Sequence, residues 1–270
     1  MQKTIEPNSE VMSEYIAMAP AALVFERVME CRILAEKIFE RPILDIGCGE
    51  GLFAKILFAE PLDTGIDPNP HELSRARELG AYTELIVCSG DKIPKPDGSF
   101  QTILSNSVIE HIPDIHPVLM EAYRLLAPGG RMYLTVPSNL FDKYTWISQA
   151  LSLLRLNSSQ ERFSEFFNRF WVHYHFYTPK RWAEIVTNAG FEVVEVQSYG
   201  PLRVCLMNNF LVPFSIPALI TKKLLNRWTL FPNLRRIIFA PLVFIARRIL
   251  RNADKCEVGG LVFLSLRKAV

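Results

Sequence analysis

The sequence predicts an α/β chain in which a mostly parallel sheet carries helices on both faces. Two observations carry the expectation. Short apolar runs at 43–46, 62–66, 85–88 and 100–104 alternate with longer segments of helical spacing. The stretch Ile43-Leu-Asp-Ile-Gly-Cys-Gly-Glu-Gly51 also runs directly into Leu52-Phe-Ala-Lys-Ile-Leu-Phe58. That reads as a buried strand, a tight turn and a helix whose first N–H groups are open to an acceptor. Glycines 47, 49 and 51 allow positive φ and close backbone approach in that turn.

Residues 10–39 read as helical with a break near Pro20. Ala22, Phe25, Val28, Met29 and Ile33 fall at helical spacing, with Glu26, Arg27, Glu30 and Arg32 interleaved. A helix covering a sheet edge and a lid over a ligand both fit. Asp67 ends the second apolar run and Asp91 follows the third. Between them a helix is clearly punctuated, with Asn69 as cap, Pro70 first, Glu72 third and Gly80 at the end. Strand four at 100–104 leads into Ser105-Asn106-Ser107. A helix from about 115 to 126, stopped by Pro128-Gly129-Gly130, precedes strand five at 131–136, and Pro137 closes it. A further helix has Thr178 as cap, Pro179 first and Gly190 as terminator. Strands six and seven follow at 191–197 and 259–266.

These motifs resemble the class I S-adenosylmethionine-dependent methyltransferases. That family shows Asp-x-Gly-x-Gly-x-Gly after an apolar strand, an acid ending strand two and an acid after strand three. Here Asp45 to Gly51, Asp67 and Asp91 stand in that order. Pro94-Lys-Pro-Asp-Gly-Ser-Phe100, Ser107-Val-Ile-Glu-His-Ile-Pro-Asp114, Leu126-Ala-Pro-Gly-Gly130 and Ala189-Gly-Phe191 match as well. The likeness covers roughly 40–200 and the last strand. Relatives have an acid where Gln101 stands. The resemblance implies a Rossmann-like sheet of seven strands, mostly parallel with an antiparallel last strand, and helical insertions after strands five and six. The expected division is an N-terminal helical cap at 1–39 and a methyltransferase domain at 40–200 plus 258–270. An aromatic-rich insertion spans 138–172, and a basic, apolar one spans 201–257.

The resemblance also implies a site. S-adenosyl-L-methionine would lie on Gly47, Gly49 and Gly51, with Asp45 ordering the turn and Asp67 on the ribose hydroxyls. Asp91 would accept from the adenine amino group and the Lys92 N–H would face the ring. Cys48, Pro68 and Asn106 complete the candidate cofactor set. Methyl transfer from a sulfonium is an in-line displacement, so alignment does most of the work. A hydroxyl nucleophile gains from a positioned base. His111 is the leading candidate because it follows strand four on the cofactor-facing edge; anchoring the next helix is its alternative role. His173 and His175 would face opposite sides of an extended run, and His173 is the preferred pocket residue. In the similar ubiquinone-pathway O-methyltransferases, a Glu-His pair and an acid three residues earlier hold a divalent ion. Ser107 occupies that earlier position here, so no metal is expected.

Charge is distributed unevenly. Residues 1–200 carry 18 Lys/Arg and 26 Asp/Glu, while 201–257 carry 10 and 2. The basic segment is also apolar, with Ile238, Leu242, Ile245 and Ile249 on one face of an expected helix over 236–251. Arg236, Arg247 and Arg251 lie on the opposite face. The sequence predicts a peripheral attachment of 202–251 to an anionic membrane, with an active-site lid and a dimer interface as alternatives. The expected substrate is lipid-like, lipid-linked or a saccharide precursor, methylated on a hydroxyl or carbon. A soluble small molecule and a non-catalytic binding module are the competing readings. A nicotinamide oxidoreductase lacks its Gly-x-Gly-x-x-Gly. Basic residues set among long aliphatic runs argue against nucleic acid. Five scattered cysteines suit a reducing cytosol. No leader-like run follows the first residues, and no apolar run reaches spanning length.

Overall fold

In the computed structural model, which describes residues 2, 4, 9–250 and 253–270, strand β1 (Ile43–Ile46) lies within a seven-stranded sheet. The side chains of 9, 10, 242 and 244–247 fall outside that description. All four residues of β1 are buried, which is why the run is apolar without alternation. β2 (Leu62–Asp67) and β3 (Tyr82–Val87) extend the sheet on one side. β4 (Phe100–Asn106) and β5 (Leu126–Pro137) extend it on the other, all in parallel pairing. β6 (Glu192–Tyr199) forms the far edge. β7 (Leu261–Arg267) slots between β5 and β6, antiparallel to both, giving the order β3-β2-β1-β4-β5-β7-β6.

Helices α1 (Ser9–Met18), α2 (Val24–Ala35) and α3 (Leu52–Leu57) pack on one face. α5 (His116–Leu125) and α8 (Pro179–Asn188) pack on the other. Strand alternation feeds the two cores: Phe263 points into the first, Val262 and Leu264 into the second. α4 (Pro70–Leu79) begins as expected, with the Asn69 side chain accepting the His71 N–H, and Gly80 ends it in the left-handed conformation. The helix at 116 stops one residue earlier than expected. The Leu126-Ala-Pro-Gly-Gly run, expected to end that helix, is already strand, with Leu126 paired to Phe100.

The first insertion folds as α6 (Trp146–Leu153) and α7 (Asn157–Phe170). The second folds as α9 (Leu202–Phe210), α10 (Val212–Leu225), α11 (Pro232–Ile238) and α12 (Ala240–Ile249). It joins the N-terminal helices on the same face of the sheet: α2 packs on α9, and α1 packs on α11 and α12.

Three expectations for this segment need correction. The helix expected over 236–251 is broken at Phe239, because Pro241 has no N–H to give and is tolerated only in a new first turn. The apolar run at 210–220 is expected from its sequence to break at Pro213 and Pro217, yet α10 continues through Pro217 to Leu225. Arg236 faces α1, where it pairs with Glu14 at 2.6 Å, rather than an open basic surface. The side chains of Leu242, Ile245 and Arg247, and all of Arg251, lie outside the described residues. Among the described residues no single helix is long and apolar enough to cross a membrane. α9 and α10 together pass on length and composition but meet at a bend of 55°.

Candidate active site

Two cavities, each about 210 Å³, open beside the carboxyl ends of β1 and β4. Ligands in open α/β sheets sit at that edge.

The first cavity is built on the glycine turn. Gly47 takes a φ of +73°, and a Cβ there would stand 2.3 Å from a Val108 methyl carbon, so only glycine lets the turn lie against the end of β4. The Gly47 and Cys48 N–H groups both donate to the Ile66 carbonyl at 2.9 Å, pinning the turn to β2. Asp45 is buried beneath it and accepts the Tyr82 hydroxyl at 2.6 Å. Burial pushes the Asp45 carboxyl up to about 7, against the opposing effect of that hydrogen bond. Asp67 ties the turn to the start of α4, accepting from the Gly49 N–H at 3.1 Å and the Asn69 N–H at 2.8 Å. Partial burial raises its pKa despite these bonds.

Asp45, Gly47, Cys48, Gly51 and Asn106 all line this cavity, and Gly49 and Asp67 join through the hydrogen bonds just described. Pro68, Asp91 and Lys92 do not line it. They are exposed on the loops after β2 and β3, and the Lys92 N–H reaches only the Ser89 carbonyl, at 3.5 Å. A glycine cradle with acids below it and at its rim fits an amino-acid and ribose portion of the size the cofactor presents.

The second cavity has aromatic walls from the first insertion: Phe141, Tyr144, Phe167 and Trp171. Phe166, Phe170 and Trp146 of the same segment are exposed instead. His111 and His173 both line it, with ring centroids 5.1 Å apart. His111 sits on the single 3₁₀ turn after β4, and its Nδ1 lies 3.2 Å from the Val172 carbonyl. A carbonyl only accepts, so that bond assigns the proton to Nδ1 and leaves the Nε2 lone pair free, 3.8 Å from Glu110 Oε1. Loss of solvation lowers the pKa of His111, and burial beside His111 lowers that of His173 to about 4. His175 is turned away and bonds to Tyr177 and to the Ile112 carbonyl. The run from 173 to 177 forms no strand; its one bridge is Tyr177 to Ser138.

Several residues here were not singled out from the sequence as site residues. Glu26 and Glu110 line the second cavity while almost fully buried. Burial lifts Glu26 to about 7 and Glu110 to about 8. Glu110 Oε2, Asn208 Oδ1 and His173 Nδ1 are buried there without a protein partner. Leu23, Arg27 and Ser107 line both cavities and form the wall between them. Arg27 is held by Glu30 at 2.6 Å and donates to Ser107 at 3.0 Å. Fully buried Glu30 also accepts from Asn106 at 2.9 Å, Tyr199 at 3.0 Å and Ser107 at 3.2 Å. A periodic signal existed: Glu26 and Glu30 stand four and eight residues after buried Ala22, on one helical face.

A family model described as "Methyltransferase domain" matches residues 22–196. An uncharacterized methyltransferase from Mycobacterium sp. (strain JLS) is 33% identical over 96 residues, 35% of this chain and 38% of the relative. A ubiquinone biosynthesis O-methyltransferase from Vibrio campbellii is 28% identical over 129 residues, 45% of this chain and 55% of the relative. The chain thus spans about half the length, or less, of these curated relatives. A solved structure from Thermotoga maritima, described as a SAM-dependent methyltransferase and possible histamine N-methyltransferase, superposes with a TM-score of 0.56. Its identity is 17%, covering 92% of this chain and 91% of that one.

Proposed function

The chain belongs to the methyltransferase-domain family, and from that premise we propose that it methylates a hydroxyl of an acceptor held in the aromatic-walled cavity, using S-adenosyl-L-methionine. The observation that carries this reading is the common wall. Leu23, Arg27 and Ser107 border both cavities, so the two adjoin, and a methyl group presented at their shared rim would meet an acceptor held among the aromatics. When bound, the cofactor supplies an electrophilic methyl group on a sulfonium.

The residues of the chain then have separate tasks. Gly47 and Gly51 give backbone approach, Asp67 receives the ribose hydroxyls, and Asp45 and Cys48 shape the floor of the turn. Asp91 and Lys92, exposed at the same sheet edge, receive the adenine. His111 Nε2 takes the hydroxyl proton, because its tautomer leaves that lone pair free and its lowered pKa keeps it neutral at pH 7. His173 packs against it and against Phe141 on one side, while 41% of the His111 side chain stays open to solvent. The unpartnered Asn208 Oδ1 favours a hydrogen-bond donor on the acceptor, and Glu110, protonated at pH 7 by its raised pKa, can donate one bond as well as accept.

The lipid-linked form of the substrate rests on the second insertion. Phe214, Leu219, Leu224, Phe231 and Ile237 are exposed there, along with Lys223 and Arg227, and the same segment lends Asn208 and Val212 to the acceptor cavity. An apolar surface next to the cavity suits peripheral attachment at the cytoplasmic face of a membrane. Lys222 and Arg236 spend their charge on internal ion pairs, so the attachment depends more on apolar contact than the composition suggests.

Incubating the protein with labelled cofactor and a membrane extract should yield a labelled lipid-phase product. Label confined to water-soluble material would favour a free small molecule, and cofactor binding without any product would favour a binding module. The protein should also float with anionic vesicles at low salt. Floating should be lost when Phe214, Leu224 and Phe231 are replaced by serine.

A further inference from the structure

The inner side of the second insertion is seated on the glycine turn. Lys222 Nζ lies 2.9 Å from Glu72 Oε2 and 3.3 Å from Glu50 Oε2. Glu50 belongs to the turn itself, and Glu72 to the first turn of α4. The Lys222 and Glu50 side chains are each only 14% exposed, so this is not a solvated surface pair. Asn226 ends α10 in the left-handed conformation and sends its Nδ2 to the His71 carbonyl at 3.3 Å. Two residues on, Trp228 lines the first cavity together with Asp45, Gly47 and Asn106. Lys222 Nζ sits 5.1 Å from the centre of its ring, and the Trp228 carbonyl accepts the Thr221 hydroxyl at 3.0 Å.

The fold does not require this arrangement. Trp228 belongs to neither hydrophobic core, and its neighbours Leu224, Leu225 and Leu230 are exposed. A half-buried indole placed against the glycine turn by an ion-paired lysine gains most if something fills the cavity between them.

The geometry points to Trp228 as a cofactor-contacting residue, with Lys222 as the positioning residue that holds it over the turn. This rests on the reading of the first cavity as the cofactor site. The indole supplies an apolar, π-rich wall from a segment far from the glycine turn in sequence, and the two carboxylates fix it through Lys222. Exchange of the cofactor then requires the 222–228 segment to lift, which breaks the Lys222 contacts.

The test is binding rather than turnover, with S-adenosylhomocysteine as the probe. Calorimetry should show the native protein binding, Trp228→Ala binding about tenfold or more weakly, a loss of about 1.4 kcal/mol, and Trp228→Phe lying in between. Stopped-flow dissociation should be about tenfold faster in Lys222→Met and near native in Lys222→Arg, a rescue that a purely structural role of the side chain volume would not give. Hydrogen exchange on the native protein should slow at 222–230 when the probe is added, which decides the matter even if a variant fails to fold. Native binding with unchanged affinity in folded Trp228→Ala, or no slowing at 222–230, would overturn the assignment. Absence of binding by the native protein would instead overturn the cofactor reading on which it rests.

Discussion

Arg27 and Glu30, one turn apart on α2, form a 2.6 Å ion pair at the point where the two cavities meet. Glu30 has no exposed side-chain surface, and Arg27 keeps 18% of its own. Burial alone would lower the guanidinium pKa, but Glu30 and Glu26 raise it overall, so Arg27 stays charged. Removing one partner of such a pair strands the other. Glu30→Ala should therefore lose about 3–5 kcal/mol of stability, read as a lower denaturation midpoint, whereas the exposed Arg181–Glu184 pair should cost well under about 1 kcal/mol when broken.

Asp67 contributes no core volume, and its oxygens hold two backbone N–H groups of the site. Asp67→Ala should leave a folded protein whose affinity for S-adenosylhomocysteine falls about 10- to 150-fold. That range matches about 1.5–3 kcal/mol for a charge-assisted hydrogen bond. Unchanged affinity by calorimetry would remove Asp67 from the ribose site.

For His111 the expected signature lies in turnover. His111→Ala should lower kcat about 100-fold or more while cofactor affinity stays near native. A base must be neutral to accept a proton, and the pKa of His111 is lowered, so native activity should rise with pH along a limb below the ordinary imidazole value of about 6.5. Full activity in the variant would shift the role to His173.

Glu110 should make stability fall as pH rises from the acid side through neutrality. Its folded pKa is raised to about 8 by burial, above the ordinary carboxylate value. The folded state therefore binds more protons than the unfolded chain, and stability declines as pH rises from about 4.5 towards 8. Glu110→Gln removes that dependence. It should gain on the order of 4 kcal/mol over the native protein at pH 9 relative to pH 5, measured by urea denaturation at both. Parallel pH curves for the two proteins would contradict this.

What could be read from residues in order was local. The glycine turn, the Asn69 cap with Pro70 behind it, and the Thr178 cap each follow from chemistry within a few residues, and each stands where expected. Strand ends moved by one to five residues, because pairing with a neighbour decides where a strand stops. Leu126 is strand only because Phe100 lies beside it. The interleaved acids of α2 looked solvated along the chain, yet Glu30 is the most enclosed carboxylate of the site. Its four donors come from 27, 106, 107 and 199, a convergence that no spacing encodes. Pro241 carries the break at Phe239 in its own chemistry, which the spacing of the apolar stripe does not register. Trp228 was not legible, since its place depends on how α10 docks.

Tyr199, where β6 ends, and Leu261, where β7 begins, are register partners in the sheet. The sheet itself asks only for a hairpin between them, and all of 200–260 is an excursion from that point. Closing a longer excursion costs little more than closing a shorter one. Lineages can therefore enlarge, trim or exchange this segment without shifting the register of any strand. A changed excursion would alter the walls it lends to both cavities, Trp228 to the first and Asn208 and Val212 to the second, while the glycine turn keeps its own pinning to β2.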